Sequence, residues 1–147
     1  MYSEIFLVFL LVALAGMACA GGGTPHSGIR DGRLAPCPDS PNCVSSQSND
    51  PDHYIEPLRF SGTPEEALSR LRKVVGSMKR ARIVESGSTF LHAEFRSLIF
   101  RFVDDVEFYI DLEGSLIHVR SASRVGYSDL GANRRRVERI RQLYNAR

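Results

Sequence analysis

Tryptophan is absent from this chain, lysine is nearly so, with Lys73 and Lys79 the only two among 19 basic residues, and there are three cysteines in 147 residues. Three cysteines exclude a disulfide-dense scaffold, and with His53 ten residues beyond Cys43 they fall short of the four ligands a structural zinc site takes. No apolar run reaches the length of a membrane span. The longest, Ile5 to Ala18, covers 14 residues where a spanning helix needs about 20. A formal net charge of +2 decides little about partners. No G-x-S-x-G elbow follows a strand, so the commonest serine-hydrolase signature is missing.

What is present first concerns address. The run Ile5 to Ala18 has the length of a signal-peptide core, although the Met-Tyr-Ser-Glu segment before it carries no base. Two processing sites overlap at its end. Gly16-Met17-Ala18-Cys19 is similar to a bacterial lipobox with Gly16 in place of the usual Leu, which would make Cys19 a lipidated N-terminus. Ala18-Cys19-Ala20 is an ordinary A-x-A site, which would release a soluble protein. Cysteine arithmetic favours the first, because it uses the odd cysteine and leaves Cys37 and Cys43 to pair in an oxidising compartment. A loop this short contributes about 2 kcal/mol, so such a bond chiefly fixes local conformation.

Residues 1–19 are therefore expected as an export signal, 20–35 as a flexible linker of Gly, Pro, Ser and charge, and 36–147 as one domain. The stretch to Phe60 reads as ordered loop anchored by Tyr54, Ile55, Leu58 and Phe60, with an edge strand available at Ile55 to Phe60. Thr63-Pro64-Glu65-Glu66 combines a Thr N-cap, Pro at the first helical position and Glu three residues after the cap, which predicts a helix from Pro64 to about Lys79. Ala67, Leu68, Leu71, Val74, Val75 and Met78 form its apolar stripe.

Beyond the helix the apolar period shortens to two. Ile83-Val84 and Thr89 to Arg96 read as a hairpin, Val103 to Leu112 as a third strand and Leu116 to Ser121 as a fourth. A Ser/Gly loop then leads into a helix carrying Val137, Ile140, Leu143 and Tyr144. The expected fold is α+β: an antiparallel four-stranded meander, five-stranded if the edge strand forms, with an N-terminal and a C-terminal helix on one face. The other face, bearing Phe90, His92, Glu94, Asp105, Glu107 and Tyr109, is expected to be open to solvent or a ligand.

Three blocks, CPDSPNCVSSQ, LHAEFRSLIFRFVDDVEFYID and IHVRSASRVGYSDLGANRRRVERIR, resemble a family known as domain of unknown function 1499, in order and over Leu34 to Tyr144. The resemblance implies a small envelope or lipoprotein-type domain but carries no activity, substrate or cofactor with it. Its motif positions are mostly polar: Cys37, Pro41, Asn42, Cys43, Val44, Ser45 and Ser46; Glu94, Arg96, Arg101, Asp104, Asp105 and Glu107; Arg120, Ser121, Ser123, Arg124, Gly126, Asp129, Asn133 and Arg134. That raises the weight of a polar site.

The loop from Arg120 to Arg134 is the candidate for it. Arg120, Ser121, Ser123, Arg124, Asn133 and Arg134 could grip an anion at a helix start. The plainer reading is that Asp129 or Asn133 caps the helix and the arginines pair with the acidic cluster Asp104, Asp105 and Glu107. Metal binding by that cluster is disfavoured, since adjacent acids on a strand face opposite sides. Arg134-Arg135-Arg136 with Arg139 and Arg141 forms a basic stripe, yet an exported protein meets lipid and envelope partners before nucleic acid, which is not expected as a partner. The function expected is thus a non-catalytic binding or interaction module in the bacterial cell envelope, facing the periplasm on a lipid anchor, for an anionic ligand or an envelope protein and without metal or cofactor. Soluble export is the alternative location. A small Ser/His or acidic-site hydrolase is the alternative activity.

Overall fold

The computed structural model describes residues 28–146, so the segment expected as an export signal, Cys19 and residues 20–27 lie outside it. It is an α+β fold with helices α1 (Pro64–Ser77) and α2 (Ala132–Asn145). Ten elements follow one another: β1 (Ile29–Arg30), β2 (Arg33–Leu34), β3 (Cys43–Ser45), β4 (Leu58–Arg59), α1, β5 (Ala81–Ser86), β6 (Phe90–Arg96), β7 (Val103–Asp111), β8 (Leu116–Ser123) and α2. The main sheet has six strands, ordered β3-β8-β7-β6-β5, with β4 also paired to β8.

Two corrections to the expected architecture follow. The strand count is six rather than four or five, because residues 43–45 leave the loop in which they were expected and pair antiparallel with β8, Val44 opposite Ser121. The first helix is not N-terminal, since four short strands precede it. It opens as its sequence dictates: the Thr63 side chain accepts from the Glu66 N–H at 3.2 Å while Glu66 Oε2 accepts from the Thr63 N–H at 3.0 Å.

Both helices share one core with the sheet. Leu71 and Val75 of α1 and Val137 and Ile140 of α2 are fully buried beside Leu91, Val106, Phe108, Ile110, Ile117 and Val119. Burying each such side chain contributes about 1.5–3 kcal/mol.

The reverse side of the sheet departs furthest from expectation. Part of the segment read as linker is a hairpin, β1–β2, turning at Asp31 and Gly32, both with positive φ (50° and 70°) as a type I′ turn requires. Leu34 is buried, and the Gly28 N–H donates to Glu107 Oε1 at 2.6 Å, which ties the hairpin to the middle of β7. The face expected to be open is buried at His92, Glu94, Asp105, Glu107 and Arg120.

Candidate functional site

Cross-strand register explains why that face can be buried although it is charged. His92 lies opposite Glu107 and Glu107 opposite Arg120, which sets unlike groups side by side across β6, β7 and β8, whereas Glu94 faces the like-charged Asp105 and needs a cation between them. Arg124, just beyond β8, closes the array. Its Nε donates to Asp105 Oδ2 and its Nη2 to Asp105 Oδ1, at 2.7 and 2.8 Å, and Nη2 also reaches Glu94 Oε1 at 2.7 Å. Arg82 of β5 donates to Glu94 Oε2 at 3.0 Å, and Arg120 to Glu107 Oε2 at 3.1 Å.

Titration follows from these contacts. Burial pushes the Asp105 carboxyl up, but the hydrogen bonds and charges of Arg124 and His92 more than reverse this and hold it at about 2. The 2.7 Å contact with Asp105 raises His92 against the effect of its burial. Burial likewise opposes, and Arg124 and Arg82 override, the change at Glu94, which ends below the usual carboxylate range. These are closed ion pairs.

The six residues expected to hold an anion do not converge. Arg120 projects into the charged face and Arg124 is spent on Asp105 and Glu94. Ser121, opposite Val106, belongs with the helix-side layer, where its hydroxyl donates to Asn133 Oδ1 at 2.5 Å. Asn133, fully buried at the start of α2, uses its whole amide: Nδ2 donates to the Asn42 carbonyl at 2.9 Å and to Ser123 Oγ at 3.1 Å, and Oδ1 also accepts from Arg136 at 2.6 Å. Arg134 is turned away and donates to the carbonyls of Tyr54 and Asp52. The cap of α2 comes from Asp129, whose carboxylate accepts from the N–H groups of Gly131 and Asn133.

The acidic cluster is divided as strand alternation requires. Asp105 and Glu107 are on the charged face, whereas Asp104 points to the helix side and pairs with Arg136 at 2.5 Å. Arg136 also lies over the Phe95 ring, 4.9 Å from its centroid. Only this one pair joins the acidic strand to the C-terminal helix among the described residues. Among them, too, no group of three His, Cys, Asp or Glu side chains could hold a metal ion.

A different place is open. Between the β1–β2 hairpin and the loops around β3 lies a cleft of about 670 Å³, lined by Arg30, Arg33, Cys37, Asp39, Ser45, Gln47, Asp50 and His53 among others. Cys37 and Cys43 are joined in a disulfide that fixes one wall. Gln47 fixes the other, its Oε1 accepting from the Leu34 N–H at 2.8 Å and its Nε2 donating to the Gly32 carbonyl. His53 sits between Asp50 Oδ2, at 2.8 Å, and the Ser40 carbonyl, at 3.1 Å; burial lowers it, but these acceptors win and raise it overall. Arg30 and Arg33 stand directly opposite each other on the hairpin, both exposed, and no carboxylate pairs with either among the described residues.

One further contact has catalytic composition. Ser46 Oγ lies 3.2 Å from His118 Nδ1, and His118 Nε2 is 3.9 Å from Asp111 Oδ2. The serine oxygen also accepts the Val119 N–H at 2.9 Å, and burial lowers the His118 imidazole below its ordinary range. The contact thereby locks the end of β3 onto β8.

Sequence reasoning gave no site role to Arg30, Arg33, Ser46 or Arg136. Asp31-Gly32 was the available signal for the first two, being the dipeptide that favours a two-residue hairpin. The others come together only through strand and helix packing.

A family model described as "Protein of unknown function (DUF1499)" matches residues 33–143, from β2 through most of α2. No curated protein matches the chain.

Proposed function

Since the chain belongs to the DUF1499 family, whose description supplies no activity, we propose from the residues themselves that it is an exported, lipid-anchored protein of the bacterial envelope that acts as a non-catalytic binding module. Its ligand is a small polar molecule with an anionic group, held between Arg30 and Arg33 in the cleft beside the disulfide. The observation that carries this reading is the arginine pair itself. Like charges directly opposite on a two-stranded hairpin repel, and an anion placed between them converts that repulsion into two charge-assisted contacts. Elsewhere the buried or partly buried guanidinium groups of Arg120, Arg124 and Arg136 are already matched by carboxylates. Export and anchoring rest on the signal-like segment and the lipobox-like Cys19.

A thermal-shift series with inorganic phosphate, a sugar phosphate and a dicarboxylate tests the binding role. At least one should raise the melting temperature of the native protein and leave Arg30→Ala/Arg33→Ala unmoved. Equal shifts in both proteins, or none in either, would reject the cleft. Mass analysis of the mature protein tests the anchor: a diacyl or triacyl adduct on Cys19 is expected, and an unmodified Gly21 N-terminus rules it out.

The Ser46–His118–Asp111 alignment supports a second reading, a serine hydrolase. It requires covalent labelling of Ser46 by a fluorophosphonate, abolished in His118→Ala.

A further inference from the structure

Among the described residues, the sheet end opposite the β7–β8 turn carries most of the exposed large apolar side chains. Leu98, Ile99, Phe100 and Phe102 are 72, 78, 74 and 50% exposed, and Val125, Tyr127 and Leu130 of the β8–α2 loop are exposed at the same end. The two segments meet where the Arg124 N–H donates to the Val103 carbonyl at 3.1 Å. Such concentration at one end is unlike the scattered exposure of ordinary surfaces.

The β6–β7 turn does not expose these residues through slackness. Ser97 braces it twice: its N–H donates to the Phe102 carbonyl and its hydroxyl accepts from the Phe102 N–H, both at 2.9 Å. Phe100 stacks on Phe102 with centroids 5.5 Å apart, and Arg101 between them takes a positive φ of 54°. Leu98, Ile99 and Phe100 are thus held outward by a strained, hydrogen-bonded turn.

Charge says what meets them. Lys79 and Arg80, in the turn just before β5, and Arg101, within the β6–β7 turn, are exposed around the apolar tip, and none has a carboxylate partner among the described residues. Apolar side chains projecting through a basic collar match the two layers of an anionic membrane surface, acyl chains beneath phosphate head groups.

We infer that this tip docks into an anionic bilayer, with Leu98, Ile99 and Phe100 entering the acyl boundary and Lys79, Arg80 and Arg101 resting on lipid phosphates. The anchored reading agrees in reach, and this step alone depends on it. Gly28 is fixed on Glu107, about 13 Å along β7 from Val103, and the nine residues from Cys19 to Gly28 span at most about 30 Å. A bilayer holding Cys19 therefore lies within reach of the tip.

Because the chain has no tryptophan, Phe100→Trp installs a single fluorophore at the point of contact. The full protein carrying it is mixed with vesicles of phosphatidylcholine containing phosphatidylglycerol, with brominated lipid as quencher. A blue shift and quenching are expected, both weakened by salt, with the native melting temperature kept. In the same background Arg101→Ala should weaken binding roughly fivefold, and Ile99→Asp more than tenfold.

Vesicle recruitment with an unshifted, unquenched indole signal would mean that the anchor acts alone, and overturns the docking. Quenching in protein that mass analysis shows to be unlipidated supports docking while removing the anchor. A blue shift without vesicles that depends on protein concentration identifies a second copy as the occupant, and also overturns it.

Discussion

Replacing Arg124 with alanine tests whether the charged sheet face stabilises the fold or is merely tolerated by it. The guanidinium makes three hydrogen bonds, two to Asp105 and one to Glu94, whose side chains are 9% and 7% exposed. Asp105, at about 2, sits well below its unfolded value of about 3.9. By linkage this amounts to about 2 kcal/mol, shared between Arg124 and His92. Glu94 keeps Arg82 after the substitution, so its loss is partial. The expected destabilisation is about 2–3 kcal/mol at pH 7, a fall in melting temperature of about 10 °C. Urea unfolding across pH is the decisive assay. Asp105 has a depressed folded pKa, so its contribution is present above about pH 4 and disappears as pH falls toward about 2; native and variant curves should converge there. His92 has a raised one, so its contribution is complete below about pH 6.5 and declines as pH rises through the higher folded value. With Arg124 gone Asp105 is left to His92 alone, and that decline should steepen. Parallel pH profiles with equal urea midpoints would refute the reasoning, and would place this array among the buried ion pairs whose desolvation cancels their attraction.

Other outcomes follow from individual contacts. Asn133→Ala removes the buried amide that accepts from the Ser121 hydroxyl and Arg136 and donates to the Asn42 carbonyl and Ser123 hydroxyl, and should cost about 3 kcal/mol in urea unfolding, against less than about 1 for the exposed Arg134→Ala. Reducing the Cys37–Cys43 bond should lower stability by about 2 kcal/mol, measured as a melting shift with and without dithiothreitol; no shift would show that the six-residue separation constrains little in the unfolded chain. In an NMR titration His118 should protonate below, and His92 above, the ordinary imidazole range, since burial governs the first and Asp105 the second; coincident midpoints would contradict both environments.

The elements that were legible in the sequence are those whose signal is local. Thr63 to Glu66 specifies a capping box within four residues, and the stripe from Ala67 to Val75 repeats often enough to establish the period of α1. Strands β5 to β8 are long enough to alternate visibly. Two-residue strands are not: Ile29–Arg30 and Arg33–Leu34 have no period, and their polar surroundings concealed the Asp31-Gly32 turn. The six residues expected to hold an anion are divided for a related reason. Alternation assigned Glu107 and Arg120 to one face, and the pairing of the arginines with the acidic cluster was legible as the plainer reading, but nothing local showed that the hairpin covers that face. The residues from Arg120 to Arg134 were expected to share a site, whereas Arg120 and Ser121 belong to opposite sides of the sheet.

The disulfide also sets a route for mechanical load. Were the N-terminus held at a surface, tension arriving at Gly28 would first strip the hairpin from Gln47 and Glu107, prising open the cleft between Arg30 and Arg33. Past Cys37 the force would cross sulfur to sulfur into β3, leaving residues 38–42 slack and the strand pairing with β8 to resist it in shear. A protein built this way yields at the cleft beside its hairpin before it yields at its core, so that any molecule filling the cleft would oppose such a pull.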